Sequence, residues 1–228
     1  MRTGKSKKQA QVNGDLVEYY SKRASEYEAI YRRQDPIRLS ELQVISHAIM
    51  ENFRGRCVLE VACGTGYWTE FAARVAERIV AIDESFEMLE IARAKNIPAD
   101  KVEFEQADAY NLDRVAGTFD AGLANFWFSH IPKAQVNEFL HGFHKKLVTG
   151  AAVFMADNVY VPDIGGELIR RTDIEDTFKI RELRTGSKHV VLKNYYDEEE
   201  LRGIFAPLVI ELEIHVGQCF WWLSYKIP

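Results

Sequence analysis

The sequence predicts an α/β fold built on a mostly parallel seven-stranded sheet, and three observations carry that prediction. Short apolar runs alternate with helix-like segments from Cys57 to Ala156. Two of those runs lead into an acid, Asp83 after Ile79-Val80-Ala81-Ile82 and Asp108 shortly after Val102-Glu103-Phe104. The first run, Val58-Leu59-Glu60-Val61, passes into Gly64-Thr65-Gly66 and then into a further helix-like stretch. Such a βαβα rhythm buries a parallel sheet under helices on both faces.

The elements follow in order. Residues 1–14, with Arg2, Lys5, Lys7 and Lys8, read as a flexible basic tail. Residues 15–54 read as a helical cap. Leu16, Tyr20, Tyr27 and Tyr31 recur at near-helical spacing, and after Pro36 so do Leu42, Ile45, Ile49 and Phe53, with Gly55 as the stop. Strands are expected at 57–61, 79–82, 102–105, 119–124 and 151–156, with helices at 67–76, 86–94 and 133–147. The rhythm breaks after Asp157. Residues 158–195 form an insertion with a charged helix-like stretch and a hairpin about Thr185-Gly186. Asp197-Glu198-Glu199-Glu200 opens a short helix with acids at its positive end, and strands at 208–216 and 218–226 complete the sheet. Residues 15–228 are read as one domain, with the insertion over the carboxyl edge of the sheet, where open α/β folds bind ligands.

Composition narrows the partners. A net charge of −5 argues against general affinity for nucleic-acid backbones. The basic N-terminus has no apolar segment behind it, so it is not a secretory signal, and no run is long enough to span a membrane. Three cysteines, Cys57, Cys63 and Cys219, make neither a zinc spacing nor a disulfide framework. A cytoplasmic protein without a metal is expected, as monomer or homodimer.

The glycine loop supplies a ligand site. Gly64 and Gly66 permit a tight turn and a close backbone approach, and the following helix presents free N–H groups. Dinucleotide enzymes share the first two glycines, but Thr69 stands where their fingerprint has a third. Glu60 before the loop would repel a pyrophosphate and suits an ammonium. Asp83 can accept both hydroxyls of a ribose, Met88 can pack on adenine, and Asp108 with the backbone of Ala109 can recognise an adenine amino group.

That series of strand ends resembles the S-adenosylmethionine site of the class I methyltransferases, whose fold is Rossmann-like. The resemblance covers nearly the whole chain, with residues 56–156 as its core. It implies S-adenosylmethionine as cofactor and S-adenosylhomocysteine as product. Tyr19-Tyr20-Ser21-Lys22-Arg23-Ala24-Ser25-Glu26-Tyr27 is similar to the opening helix of small-molecule members, which implies Tyr20 and Arg23 near the methionine carboxylate. The same resemblance adds Ala62, Trp68 and Asn125 to the cofactor set. Ser129-His130-Ile131-Pro132 and the series Arg181, Leu183, Gly186 and Lys193 are similar to phosphonate O-methyltransferases, which implies Arg181 and Lys193 facing an anionic acceptor. Tyr31 and Phe126 are assigned to the acceptor side, although the Arg32-Arg33 segment departs from that pattern.

A thioether departs neutral, so the methyl transfer needs alignment and exclusion of water rather than an acid. A carboxylate or phosphonate oxygen attacks without a base and is held by cations, such as the Arg181 fork and the Lys193 point charge. A neutral acceptor would use a base, for which His130 is the candidate. The first expectation is therefore O-methylation of a small anionic molecule. An N-methyltransferase and a non-catalytic S-adenosylmethionine-binding regulator stand as alternatives.

Overall fold

The computed structural model describes residues 14–162, 164 and 166–228. The expected basic tail lies outside the described residues as far as residue 13; residue 14 is already helical.

The main sheet has seven strands: β1 (Cys57–Val61), β2 (Arg78–Asp83), β3 (Val102–Gln106), β4 (Phe119–Asn125), β5 (Leu147–Asn158), β9 (Ile210–Val216) and β10 (Phe220–Lys226). Their order is β3-β2-β1-β4-β5-β10-β9. β10 runs antiparallel to both of its neighbours, and the other pairs are parallel. Strand order reverses between β1 and β4, which opens a crevice at their carboxyl ends. Alternation along β1 feeds two cores. Leu59 and Val61 join Phe139, Phe143 and Trp221 on one face. Val58 joins Ile45, Ile49, Ile79 and Phe220 on the other. Burial on both faces is why these strands read as continuous apolar runs.

Helices are stopped and started by local chemistry. In α2 (Pro36–Asn52) the Asp35 carboxylate accepts the N–H groups of Ile37 and Arg38 at 3.0 and 3.1 Å, and proline fills the first turn. Ser85 caps α4 (Phe86–Arg93) through the N–H of Met88, and Asp197 with Glu200 forms a capping box on α6 (Glu198–Phe205). Glu41 of α2 reaches the turn between β9 and β10. Its carboxylate accepts the N–H groups of Gln218, Cys219 and Phe220 at 2.7, 3.0 and 3.0 Å.

Four expected elements differ. The N-terminal helix does not run through to Tyr31: α1 (14–23) passes into a 3₁₀ segment, Ala24–Arg32. The helix expected over 133–147 begins as a 3₁₀ turn, Lys133–Gln135, and α5 is Val136–Lys145, while β5 starts at Leu147, four residues earlier than read. The charged stretch of the insertion contains a strand rather than a helix. β6 (Leu168–Arg170) pairs with β7 (Thr177–Glu182), which pairs with β8 (Lys188–Leu192), making a three-stranded antiparallel sheet. The hairpin about Thr185-Gly186 connects β7 to β8, with Gly186 at φ +82°.

Candidate active site

The turn from β1 into α3 (Tyr67–Ala73) is built on left-handed backbone at Ala62, Gly64 and Gly66, with φ of 52°, 56° and 72°. A β-carbon at Gly64 would meet no atom within 4 Å, because that position opens into a cavity. Gly66 serves another purpose. A β-carbon there would lie 3.1 Å from Cβ of Ala92, so this glycine lets the loop pack on α4 and does not line the cavity.

The cavity wall carries Ala62, Gly64, Asp83, Met88, Ala109 and Asn125 from the expected cofactor set. Asp83 accepts the N–H of Gly64 at 2.8 Å through Oδ2 and that of Ser85 at 2.9 Å through Oδ1. Burial raises its carboxyl to about 6 against those backbone donors. Asn125 is 7% exposed, and neither atom of its amide has a hydrogen-bond partner. Oε2 of Glu60, which is 2% exposed, is likewise unpartnered, and burial pushes this carboxyl up to about 8. Orphaned buried groups of this kind call for a ligand. The unpartnered amide of Asn125, an acid at the end of β2 and an apolar pair in Met88 and Ala109 fit the amino-acid end, ribose and adenine of S-adenosylmethionine.

Several expected cofactor residues sit elsewhere. Trp68 packs behind the cavity, stacked on Phe126 with centroids 5.7 Å apart, and donates its Nε1–H to the Tyr31 hydroxyl at 3.2 Å. Asp108 is exposed, and its carboxylate accepts the N–H of Tyr110 in a tight turn, while its neighbours Ala107 and Ala109 reach the wall. Glu60 does not line the wall. Arg23 faces a second chamber, between the rings of Tyr19 and Tyr27 at 5.7 and 5.4 Å from their centroids.

That second chamber adjoins the first through Tyr20, Tyr27, Phe126 and His130, which line both. Phe126 is placed there by a φ of 57° directly after β4. Tyr31, expected on the acceptor side, lines neither chamber; it is buried against Tyr67 with stacked rings 3.8 Å apart. Tyr27 takes that place, since three residues per turn in the 3₁₀ segment rotate the tyrosines away from an α-helical register.

Arg181 and Lys193 both line the second chamber, from β7 and from the residue after β8. Lys193 is not an uncompensated cation. Its Nζ donates to Asp157 Oδ1 at 2.8 Å and Ser129 Oγ at 2.6 Å, in a pair with side chains 5% and 0% exposed. Asp157 also accepts from the N–H of Ser129 and from the backbone and amide N–H of Asn158. Burial pushes its carboxyl up, but Lys193 and the remaining donors pull it down to about 2. Burial pulls the Lys193 ammonium below its ordinary value.

His130, expected as a base, is engaged at both nitrogens. Leu192 O lies 2.7 Å from Nδ1 and can only accept, so Nδ1 carries the proton. Nε2 then accepts the Tyr20 O–H at 2.8 Å. Burial, with the Lys193 charge, lowers this imidazole to about 3, so it is neutral at neutral pH. Sequence reasoning missed Asp157, Ser129, Tyr27 and Tyr110. Asp157 had a visible signal, an acid at the end of an apolar strand; Tyr27 and Ser129 depend on 3₁₀ winding and Tyr110 on a turn. Among the described residues no group of three or more histidine, cysteine or acidic side chains could hold a metal, and no helix is long and apolar enough to cross a membrane.

The seven-stranded sheet has the Rossmann-like topology of the class I S-adenosylmethionine-dependent methyltransferase fold, and residues 58–150 match the family model described as a methyltransferase domain. The chain is similar to DhpI in two solved complexes. With DhpI bound to SAM and HEP the TM-score is 0.76 at 26% identity, over 94% of this chain and 97% of that one. With the SAH complex the TM-score is 0.75 at the same 26% identity, over 95% and 97% of the two chains. In sequence it is 34% identical over 119 residues to the malonyl-(acyl-carrier protein) O-methyltransferase of Legionella pneumophila, covering 50% of this chain and 40% of that protein. It is 27% identical to the ubiquinone biosynthesis O-methyltransferase of Erwinia tasmaniensis, over 75% of this chain and 70% of that protein.

Proposed function

We propose that the protein uses S-adenosylmethionine to methylate an oxygen of a small anionic molecule, a carboxylate or phosphonate. One observation carries this reading. The chamber that adjoins the cofactor cavity is lined by Arg23, Arg33, Arg38, Arg181 and Lys193, against Asp35 as its only lining acid among the described residues. The names of the similar proteins support it: two are O-methyltransferases, and DhpI was solved with SAM and HEP.

Bound S-adenosylmethionine supplies an electrophilic methyl on sulfur, which an acceptor oxygen takes with its own electron pair while the thioether leaves with the other. The chain's part is alignment and exclusion of water. Asn125 would hold the amino-acid end, Asp83 the ribose, and Met88 with Ala109 the adenine. Tyr20, Tyr27 and Phe126 wall the junction where the chambers meet. Arg181 draws the anion toward that junction. His130 orients Tyr20 rather than taking a proton, because Tyr20 already occupies the Nε2 lone pair and an anionic acceptor has no proton to lose. This replaces the expectation of His130 as base and makes an N-methyltransferase, which must shed a proton, the weaker reading.

Turnover of a panel of small carboxylates, phosphonates, phenols and amines, read as S-adenosylhomocysteine formation, tests the proposal. Anionic acceptors should be preferred, and Arg181→Ala should raise their KM with cofactor affinity unchanged. Preference for neutral amines, or no turnover beside tight cofactor binding, would overturn it.

A further inference from the structure

The chamber is basic on two walls, and only one of them is needed to hold the reacting anion. The insertion wall carries Arg181 and Lys193, the latter already matched by Asp157. The opposite elements, the 3₁₀ segment's end and the first turn of α2, bring Arg33 and Arg38. Arg38 is half-buried. Its guanidinium lies over the Phe220 ring at 4.6 Å, and Nε donates to Ile30 O at 3.3 Å. Among the described residues neither Arg33 nor Arg38 has a carboxylate within ion-pair distance. Asp35, the acid beside them, spends Oδ1 on the N–H groups of Ile37 and Arg38. Burial and then the Arg33 charge both act against the Arg38 cation. Two neighbouring guanidinium groups, one drawn out of water and neither neutralised, carry a cost that a bound anion relieves. Stacking on Phe220 fixes the Arg38 fork, as a bidentate site requires.

We infer that the acceptor carries a second negative group, bound by Arg38 and Arg33 on the cap wall, apart from the group that is methylated. This rests on the reading of the second chamber as the acceptor site. Apolar side chains between the walls, Ile30, Phe126 and Val159 among them, suit a short hydrocarbon link. The acceptor is thus a dianion with its charges at two ends, a dicarboxylate or a carboxyalkylphosphonate, rather than a monoanion.

Matched acceptor pairs test this: glutarate against butyrate, and phosphonopropionate against ethylphosphonate. The parent should favour the dianion of each pair. Arg38→Gln should raise the KM for the dianions at least about tenfold, the loss expected for a hydrogen-bonded charge. It should raise the monoanion KM by a clearly smaller factor, so that the preference for the dianion of each pair falls. Arg38→Lys should recover part of the loss, Arg33→Gln should act in the same direction, and Arg181→Gln should impair both members of each pair. Unchanged S-adenosylhomocysteine affinity and melting confirm that the variants are folded. Should Arg38→Gln not fold, the exposed Arg33→Gln carries the test by the same criteria. Equal effects on monoanions and dianions, or none, overturn the second-anion site while the anionic-acceptor reading stands. Turnover of neutral amines with no anionic acceptor overturns both.

Discussion

Replacing Lys193 by methionine removes one half of a fully buried ion pair and tests what that lysine is for. Asp157 is 0% exposed, and without the ammonium its charge remains inside. Breaking a buried pair from one side costs about 3–5 kcal/mol. Asp157 keeps three other donors, the N–H of Ser129 and both N–H groups of Asn158, which places the loss near the lower end, about 3 kcal/mol. For a domain of this size that is a fall in Tm of roughly 6–12 °C. Urea unfolding followed by tryptophan fluorescence, beside thermal melts, gives both numbers. The pH dependence supplies a second reading. A carboxyl held at about 2 in the fold, below its unfolded value, stabilises at higher pH and loses that contribution as pH falls through both values. The parent should therefore lose about 2–3 kcal/mol between roughly pH 5 and pH 2 through this group, and Lys193→Met should lose less. Lys193→Met combined with Asp157→Asn should be less damaging than the sum of the two. A loss under about 1 kcal/mol for Lys193→Met, with additive singles, would refute the pair as a structural element and return Lys193 to the acceptor alone.

Three further outcomes are expected. Asp83→Ala should weaken S-adenosylhomocysteine binding by about 1.5–3 kcal/mol in calorimetry, with Asp83→Asn intermediate. Because burial raises Asp83 to about 6, affinity in the parent should also fall as pH drops below that value; a flat profile would sink the assignment. Gly64→Val should abolish binding in a chain that still melts cooperatively, since the side chain enters the cavity from a φ of +56°; retained affinity would contradict it. Glu41→Ala should cost about 1.5–3 kcal/mol in urea unfolding, the worth of charged hydrogen bonds to three backbone donors, and a change within error would show the clamp to be idle.

What could be read in the sequence was whatever rests on local pattern. The parallel strands, the glycine turn and Asp83 follow from apolar runs, missing β-carbons and an acid at a strand end. What failed depends on partners far away in the chain. Trp68 and Tyr31 were placed at the ligand by analogy, but each buries its ring in the core under α2, where packing decides. Tyr27 and Tyr31 exchanged roles because one segment winds as a 3₁₀ helix, which no residue in Ala24–Arg32 announces. β6 is three residues long and exists by pairing with β7, so its charged sequence reads as something else. Lys193 was legible as a basic residue of the insertion, but not as the partner of Asp157, 36 positions earlier.

The Glu41 clamp also sets an order of events. Its three hydrogen bonds join the cap to residues 177 to 179 positions further along, a closure far more distant in sequence than the β1–β2 pairing. Such remote contacts form late, because the intervening chain must first be gathered. On a ribosome the cofactor loop and the first strands emerge long before residue 220, with the surface beneath α2 still unsealed. During synthesis the strands that carry the cofactor loop are therefore made well before the β9–β10 turn that holds α2 through Glu41.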